Sequence, residues 1–482
     1  MSSQQTATGP RVAVLGGGIS GLSAAFYLTK TLPEVEIQLW EASDHVGGAL
    51  RSFDRAGFQV EQGVDNFITT EKQGLDLCRE VGLESEIVPT SNRFRRTFVV
   101  RKGSLYPLPD GFLMMAPTKL FPLALTPLLS PFGKLRAGLE LFLPRGGHQD
   151  ESLQQFVVRR LGCEVYDRIV EPLVSGIYAG DATKLSVWAT LPRFPEMEKK
   201  YRSLVWAMKR QQKFARQMKR AEESGARYSF FVALRHGLGS LVEAIVKHLP
   251  KGAIHVNRQV KSVMRQVGPG GQNRWLVTAA SGESEVFDAI ICTLPTHVYA
   301  KVFADELSKL GELGSRIDHS SAVVITAGFK TEQIGKPMNG MGFVVPEKEK
   351  LALIAGSFSS HKYPHRAPEG TTLLRLFAGG TRKPDLVNMP ENELIELIMK
   401  ELGLLLKIQG DPIMVDVARW PSSMPQYNLG HLQLLEQFDQ EIMRWPGLYL
   451  AGNSFRGVGI PACIKSSIEA VEKVQGHLGC GQ

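Results

Sequence analysis

The sequence contains few cysteines, and none of them has a spacing that is typical of metal binding. The five are odd in number and never occur as CxxC; they are Cys78, Cys163, Cys292, Cys463 and Cys480. We therefore predict neither a disulfide framework nor a zinc site, and no residue is assigned to a metal. This cysteine usage fits a reducing compartment.

Targeting and membrane-spanning signals are also missing. The first ten residues, MSSQQTATGP, have neither the apolar core of a secretion signal nor the arginine-rich pattern of a transit peptide. In the proline-rich stretch 103–144, the longest uncharged run extends from Leu120 to Phe132. That run is shorter than the roughly 20 residues that a spanning helix needs. We expect a cytoplasmic protein that does not cross a membrane.

The charge balance is mildly basic, since 56 Lys and Arg against 48 Asp and Glu give a net charge of +8. Such an excess suits anionic ligands or an anionic membrane surface. No helix-turn-helix, zinc-finger or aromatic-basic pattern occurs, so no nucleic-acid partner is predicted. With 482 residues, 43% of them hydrophobic, the chain is expected to form two or three packed domains.

A glycine-rich loop lies between a predicted strand, RVAVL, and a predicted helix, SAAFYLTKTL. Gly16, Gly18 and Gly21 form the GxGxxG pattern of dinucleotide folds, and Glu41 ends the next strand, where an acid binds a ribose hydroxyl. A glycine-rich turn without a ligand is the alternative. The predicted phosphate loop consists of Gly16, Gly17, Gly18, Ile19, Ser20 and Gly21.

Two further motifs resemble those of the flavin amine oxidase superfamily. HVGGALRS supplies Gly47, Gly48, Ala49 and Arg51 just after the acid, and YLAGNSFRGVG occupies 449–459. In that superfamily a paired glycine followed by an arginine contacts the second phosphate, and the C-terminal motif closes the site. The resemblance therefore implies that the cofactor is FAD.

Four segments resemble the porphyrinogen oxidases of the protoporphyrinogen oxidase family, and the resemblance covers nearly the whole chain. The segments are VEQGVDNFI (60–68), EPLVSGIYAGDATKLS (171–186), RWPSSMPQYNLGH (419–431) and AGNSFRGVGIPACI (451–464). By this resemblance Val260 contacts the adenine through its backbone, and Trp420 closes the flavin site, with a core aromatic as the alternative. The residues implied to hold the flavin are Gly63, Val64, Asp65, Asn66, Val260, Trp420, Val458, Gly459 and Ile460.

The substrate of that family is a broad apolar macrocycle with carboxylate arms, so its pocket needs apolar walls and guanidinium groups at the rim. By resemblance Arg96 binds a carboxylate arm, Gly176 leaves room above the macrocycle, and Phe358 stacks on a pyrrole ring. Arg95 is the alternative in a register shifted by one residue. A solvated surface arginine and a plain core phenylalanine are the alternatives for Arg96 and Phe358.

The resemblance implies an oxidase of tetrapyrrole (haem) biosynthesis that converts a porphyrinogen to a porphyrin. A hydride would pass from a meso carbon of the substrate to flavin N5, with O2 as the acceptor and H2O2 as the product. No catalytic side chain is assigned, since no Ser-His-Asp arrangement or paired carboxylate is evident. By resemblance, the pair Arg95 and Arg96 favours protoporphyrinogen IX as the substrate. Coproporphyrinogen III is the alternative, since EPLVSGIYAGD and GVGIPACI look similar to bacterial members, some of which prefer it.

Three other functions match less well. Amine and polyamine oxidases often keep a lysine beside the flavin, whereas the strand SAVVITAGF (321–329) has none. A carotenoid-type desaturase fits the segments EPLVSGIYAGD and GVGIPACI less closely. A flavin-holding scaffold without turnover is disfavoured by the intact flavin motifs and the rim arginine.

The predicted fold class is α/β, with a Rossmann-like FAD-binding domain of the flavin amine oxidase superfamily, an α+β substrate-binding domain and a helical membrane-associated insertion. The FAD-binding parts are predicted at 1–100, 231–300 and 416–482. The helical region is predicted at 101–230 and the substrate-binding sheet at 301–415. Within that sheet, residues 320–380 are expected to be mostly antiparallel.

The proline-rich apolar stretch resembles the membrane-associated segment of the family, which implies peripheral binding to a membrane surface. Lys119, Lys134 and Arg136 lie near it and suit an anionic surface. A domain-packing or dimer surface is the alternative. A homodimer and contact with a ferrochelatase-type enzyme stay open.

Overall fold

The computed structural model describes residues 9–94, 96–113, 115–117, 120–147, 149–210, 230–268, 271–336 and 339–479. Its strands are β1 (Arg11–Leu15), β2 (Glu36–Trp40), β3 (Ser52–Arg55), β4 (Phe58–Glu61), β5 (Phe67–Ile68), β6 (Ile87–Pro89), β7 (Thr97–Arg101), β8 (Ser104–Pro107), β9 (Phe112–Leu113), β10 (Ala116–Pro117), β11 (Phe231–Leu234), β12 (Ile254–His255), β13 (Val260–Val267), β14 (Asn273–Ala279), β15 (Ser284–Phe287), β16 (Ala289–Cys292), β17 (His319–Lys330), β18 (Gly342–Val344), β19 (Leu353–Phe358), β20 (Thr371–Gly379), β21 (Met414–Pro425) and β22 (Leu448–Leu450).

Its α-helices are α1 (Ile19–Thr31), α2 (Gln73–Glu80), α3 (Leu120–Leu125), α4 (Pro131–Gly138), α5 (Leu153–Leu161), α6 (Cys163–Val165), α7 (Glu171–Tyr178), α8 (Val187–Thr190), α9 (Arg193–Tyr201), α10 (Gly239–His248), α11 (Tyr299–Val302), α12 (Ser308–Ser315), α13 (Ser359–Lys362), α14 (Glu391–Leu406), α15 (His431–Ile442) and α16 (Ile460–Leu478). Residues 204–210 are helical as well.

A five-stranded parallel sheet forms the first layer, in the order β12-β2-β1-β16-β22. Its strands come from three distant parts of the chain. Strand β1 is an apolar run that is buried from Val12 to Leu15, as expected for a parallel strand covered on both faces. Helices α1, α10 and α16 pack on one face, and the sheet β13-β14-β15 with α12 and α15 packs on the other. The predicted opening βαβ unit is confirmed.

A seven-stranded sheet forms the second layer, in the order β21-β17-β20-β19-β18-β7-β8. All of its pairings are antiparallel except that between β7 and β18, so the expected antiparallel character of 320–380 is confirmed. Helix α14 covers one face. The sheet also takes in β7 and β8 from the N-terminal part, and β21 extends across the predicted division at 415.

Prolines divide the apolar stretch into short helices. Helix α3 stops before Pro127, and α4 begins at Pro131, where a missing backbone N–H costs nothing. Ser130 caps α4 because its hydroxyl accepts a hydrogen bond from the N–H of Gly133 at 3.1 Å. Within the part of the chain that the structure describes, no helix is both long and apolar enough to span a membrane.

The helical region is held together by a buried ion pair. Arg160 and Glu140 are both fully buried, and the guanidinium donates to the Glu140 carboxylate and to the carbonyls of Pro144 (2.9 Å) and Arg202 (2.8 Å). The carboxylate also accepts from the Ser203 hydroxyl at 2.6 Å. Both terminal nitrogens of the guanidinium and both oxygens of the carboxylate are thus hydrogen-bonded within this region, which offsets part of the cost of burying charge.

We expect Arg160→Met to lower the free energy of unfolding by about 3–5 kcal/mol, because it leaves the Glu140 carboxylate buried without its cation. Urea unfolding measures this change. The control is Lys309→Ala, which breaks an exposed pair with Glu312 and should cost less than about 1 kcal/mol. If Arg160→Met and Lys309→Ala lowered the free energy of unfolding equally, the stabilising role of the buried ion pair would be contradicted.

Candidate active site

The first glycine loop is shaped by close backbone contacts. Gly16 follows β1 with φ +104°, and a Cβ on Gly21 would lie 1.8 Å from the Gly16 carbonyl oxygen. The helix can therefore pack on the strand end only with glycine at 21. A Cβ on Gly18 would meet nothing within 4 Å, and Gly18, Ile19 and Ser20 line a large cavity.

The N-terminus of α1 faces this cavity. Gly18 is its N-cap, and no side chain caps the first turn. The first-turn N–H groups and the positive end of the helix dipole are thus available to an anion in the open space before Gly18. This arrangement fits a pyrophosphate, as the sequence predicts.

The second glycine loop packs against the first. The N–H of Gly47 donates to the carbonyl of Gly17 at 2.8 Å, and a Cβ on Gly48 would lie 3.2 Å from Gly18 Cα. Gly47 and Gly48 have φ of +114° and +56°. Ala49 lines the cavity next to them, whereas the side chain of Arg51 is exposed to solvent.

Glu41 lies beside the first loop at the end of β2. Its carboxylate accepts from the N–H of Gly17 at 2.6 Å and from the N–H of Ser43 at 2.9 Å. Its backbone carbonyl accepts from the N–H of Arg258 at 2.8 Å, which brings the start of β13 next to it. Val260, the predicted adenine contact, begins β13 and is buried.

The loop of residues 61–66 is held between the second glycine loop and the seven-stranded sheet. A Cβ on Gly63 would lie 2.2 Å from the Ala49 carbonyl oxygen, and the N–H of Val64 donates to that carbonyl at 3.1 Å. Arg375 donates to the carbonyls of residues 61 (3.1 Å) and 63 (2.6 Å), and Trp420 Nε1 donates to that of residue 62 (2.9 Å). Gly63, Val64 and Trp420 line the cavity.

A buried charge cluster supports this loop from behind. Asp65 Oδ2 lies 3.2 Å from Arg375 Nη1 and 3.3 Å from Arg366 Nη1. Arg366 also pairs with the fully buried Glu61 at 3.4 Å. Burial alone would raise the pKa of Asp65, but the charges of Arg375, Lys362 and Arg366 lower it well below its ordinary value. Burial raises the pKa of Glu61. Asn66 donates to the Asp65 carboxylate at 2.7 Å.

The C-terminal glycine motif closes the opposite wall. It runs from β22 into α16, with Gly452 at φ +120° and Gly457 at φ +126°. Gly459 is the N-cap of α16. The predicted residues Val458 and Ile460 line the cavity together with Gly452, Asn453 and Cys463.

The cavity is wide and mostly apolar, with an empty volume of about 1300 Å³ that opens to solvent. Beyond the glycine loops it extends between α7 and the face of the seven-stranded sheet that α14 leaves uncovered. Gly176 lines it as predicted; a Cβ there would lie 3.6 Å from both Ala355 Cβ and Val344 Cγ1, an ordinary contact. The sheet contributes Ala322, Val324, Ile354, Phe377 and Ala378.

Two predicted substrate residues are not brought to this cavity. Phe358 is fully buried and contacts the cluster under α14, on the opposite face of the sheet, so its position corresponds to the core alternative. Arg96 is exposed just before β7 and is not among the lining residues. Arg95 lies outside the described residues. Besides Trp420 on β21, the sheet presents the aromatic side chain of Phe377, which the sequence analysis missed.

Apart from Asp65, the members of the charge cluster were also missed, because Arg366 and Arg375 lie about 300 residues beyond loop 61–66 and no spacing rule connects them. Thr293, just after β16, is another lining residue without a prediction. It could have been found from its position at the carboxyl end of a parallel strand, where such folds bind ligands.

The residues of the two glycine loops, Glu41 and loop 61–66 together fit FAD. The open space before Gly18 has room for phosphates, Glu41 lies beside the first glycine loop as expected of a ribose partner, and the apolar walls at Val64 and Trp420 suit a flat ring. The roles of single residues stay predictions.

We expect Asp65→Asn to lower the free energy of unfolding by about 3–5 kcal/mol at pH 7, since two guanidinium groups lose their buried anion. A lowered pKa means that the carboxylate stabilises the fold above its ordinary pKa of about 3.9, and that this contribution declines on acidification. The difference in the free energy of unfolding between the Asp65→Asn variant and the native chain should therefore become smaller below about pH 4. Urea unfolding from pH 7 to pH 3 measures it.

The control for this pH series is Asp54→Asn, which changes an exposed carboxylate on β3. We expect Asp54→Asn to leave the free energy of unfolding nearly unchanged from pH 7 to pH 3. A constant difference between the Asp65→Asn variant and the native chain at every pH would contradict the predicted linkage.

Comparison with known proteins shows which family the chain is similar to. Residues 19–475 match the family model described as flavin containing amine oxidoreductase. The chain is 35% identical over 475 residues to coproporphyrinogen III oxidase of Bacillus subtilis (strain 168), covering 97% of this chain and 98% of that protein. It is 29% identical to the chloroplastic protoporphyrinogen oxidase of Nicotiana tabacum, covering 96% of this chain and 85% of that protein.

A crystal structure of a candidate protoporphyrinogen oxidase from Exiguobacterium sp. 255-15 is similar to the whole fold. Its TM-score is 0.83 at 29% identity, and the match covers 98% of this chain and 99% of that one. The family match confirms the predicted cofactor, FAD. The predicted resemblance is likewise confirmed, since the match extends through both sheets and the helices between them. The chain belongs to the flavin containing amine oxidoreductase family, in the group that includes these porphyrinogen oxidases.

Proposed function

We propose that the protein oxidises a porphyrinogen to a porphyrin, with coproporphyrinogen III as its substrate and O2 as the acceptor. The observation that carries the proposal is the wide apolar cavity that continues from the FAD loops to Gly176 and Phe377. The space between α7 and the sheet suits a broad macrocycle, with one face toward the cofactor.

The choice of substrate departs from the expectation of protoporphyrinogen IX. That expectation depended on Arg95 and Arg96, but Arg96 is exposed and away from the cavity, and Arg95 lies outside the described residues. The Bacillus subtilis relative, at 35% identity, is a coproporphyrinogen III oxidase and supports the more carboxylated substrate. Protoporphyrinogen IX is the second candidate, supported by the Nicotiana tabacum relative.

The cavity wall has almost no ionisable group of its own. Among the described lining residues only Cys463 can ionise, and burial raises the pKa of its thiol to about 11. FAD, when bound, supplies the hydride acceptor. The residues of the wall are therefore left to bind and orient the macrocycle and to exclude water, and no side chain is given a proton-transfer role.

The wall also argues against an amine substrate. An amine cation would need a carboxylate to pair with, and none faces the described part of the cavity. On β17 the cavity-facing positions are Ala322 and Val324 instead of a lysine.

The test of substrate compares anaerobic reduction of the bound flavin by coproporphyrinogen III and by protoporphyrinogen IX. We expect both to bleach the flavin absorbance, and kcat/KM under air to be about tenfold higher for coproporphyrinogen III. A preference for protoporphyrinogen IX would reverse our choice of substrate. Failure of both to reduce the flavin would refute the porphyrinogen assignment.

A pair of variants at Gly176 tests the cavity in the same assay. Gly176→Phe should reduce kcat/KM by about tenfold or more, because a ring there fills the space for the macrocycle. Gly176→Ala is the matched control, since its Cβ makes only ordinary contacts. Both variants should keep their full flavin content. Equal activity of the Phe variant would place the substrate elsewhere.

We also propose peripheral association with a membrane surface, with the helices of 120–142 as the contact. This region exposes large apolar side chains: Phe121 is 74% exposed, Phe132 84% and Phe142 73%. Of the basic residues expected nearby, Lys119 lies outside the described residues. Arg136 donates to three backbone carbonyls of α5, so apolar burial is expected to contribute most of the binding.

Sedimentation with phosphatidylcholine vesicles tests this contact. Replacing Phe121, Phe132 and Phe142 together by Ser should abolish co-sedimentation while flavin content is kept. The control replaces two exposed apolar residues elsewhere, Leu404 and Met443, by Ser. This control should not change co-sedimentation with the vesicles. Binding that survives the triple substitution would show that another surface is used.

A further inference from the structure

Two of the segments that carry the family resemblance, RWPSSMPQYNLGH and AGNSFRGVGIPACI, are joined by one buried hydroxyl. The side chain of Tyr427 is buried, and its hydroxyl donates to the carbonyl of Asn453 at 2.5 Å. The same hydroxyl accepts from the N–H of Gly457 at 2.9 Å. One oxygen atom therefore fixes both ends of a five-residue segment.

His431 holds the middle of that segment. Its Nε2 lies 2.8 Å from the carbonyl of Phe455, which can only accept, so Nε2 carries the hydrogen. The imidazole stacks on the ring of Tyr427 with 4.1 Å between centroids and 15° between planes. Burial lowers the pKa of His431, which favours the neutral ring. The two side chains thus bind residues 453, 455 and 457 in alternation.

The segment needs such support because it has no regular structure of its own. It connects β22 to α16, and Gly452 and Gly457 both adopt positive φ. Asn453, the first residue of the segment, lines the cavity together with the flanking residues Gly452 and Val458. Neither Tyr427 nor His431 lines the cavity.

The support itself is anchored in the helical region. The carbonyl of Tyr427 accepts from the N–H of Ser186 at 2.8 Å. The Asp150 carboxylate accepts from the N–H of Gly430 at 3.0 Å and from the Ser186 hydroxyl at 2.6 Å. The position of the two rings is therefore set by residues that belong to neither glycine motif.

We propose that Tyr427 and His431 are positioning residues for the cofactor, which hold residues 453–457 in the shape that FAD binds. They act through the backbone of this segment and do not touch the cofactor. The proposal depends only on FAD binding, so it can fail or succeed independently of the choice of substrate.

Removing the single oxygen in Tyr427→Phe tests the proposal on the holoenzyme. We expect FAD to be released about tenfold faster after dilution, because the two backbone groups lose a buried partner and the segment loosens. The visible absorption bands of the flavin that stays bound should also shift. Fluorescence of the released FAD and absorption spectra provide the readouts.

Tyr178→Phe is the matched control. It also removes a hydroxyl from a buried tyrosine and loses one hydrogen bond, to the carbonyl of Thr190 at 3.1 Å. It should lower the melting temperature to a similar extent while FAD release stays within twofold of the native rate. If Tyr427→Phe also leaves FAD release within twofold and the spectrum unshifted, the proposal is overturned.

A second pair of variants keeps the test decisive if Tyr427→Phe folds poorly. His431→Gln retains an N–H donor for the carbonyl of Phe455, whereas His431→Leu removes it. We expect the Leu variant to release FAD about tenfold faster and the Gln variant to restore most of the native retention. Equal behaviour of the two would overturn the role of His431.

Discussion

The guanidinium of Arg375 links the seven-stranded sheet to loop 61–66 beside the glycine loops. It lies on β20 of the seven-stranded sheet, is fully buried, and donates to the carbonyls of residues 61 and 63 while it pairs with Asp65. Loop 61–66 in turn packs against Ala49 so closely that Gly63 has no room for a side chain. Arg375, together with Arg366 and Trp420, therefore connects the glycine loops to the seven-stranded sheet.

The ionised side chains of the charge cluster do not line the cavity. The ionised groups lie behind the wall, in the cluster of Glu61, Asp65, Arg366 and Arg375, and the described lining of the cavity carries no carboxylate, ammonium or guanidinium. An apolar cavity beside the cofactor loops suits a substrate whose oxidisable part is an uncharged macrocycle. The same buried cations hold the backbone of the loop, since Arg375 donates to the carbonyls of residues 61 and 63 and Arg366 donates to that of Asp65.

The C-terminal glycine motif is also held in place by hydrogen bonds, but from neutral side chains. Tyr427 and His431 bind three backbone groups between Asn453 and Gly457 and are themselves held by the helical region. Loop 61–66 and segment 453–457 are thus both glycine-containing backbone that is held mainly by side chains that do not line the cavity. Such support explains how segments with little packing of their own can present a defined surface.

The sequence by itself determined the cofactor fold, because GxGxxG, the acid at Glu41 and the paired glycines are short-range patterns with a local backbone cause. It also predicted Gly176 and Trp420 at the cavity. Only the tertiary structure decided that Phe377 and not Phe358 faces the cavity, because alternate residues of a strand point to opposite faces and one segment does not reveal which face is covered. The contacts of Arg375 and Tyr427 were likewise beyond the sequence, since they join residues that only the folded chain brings together.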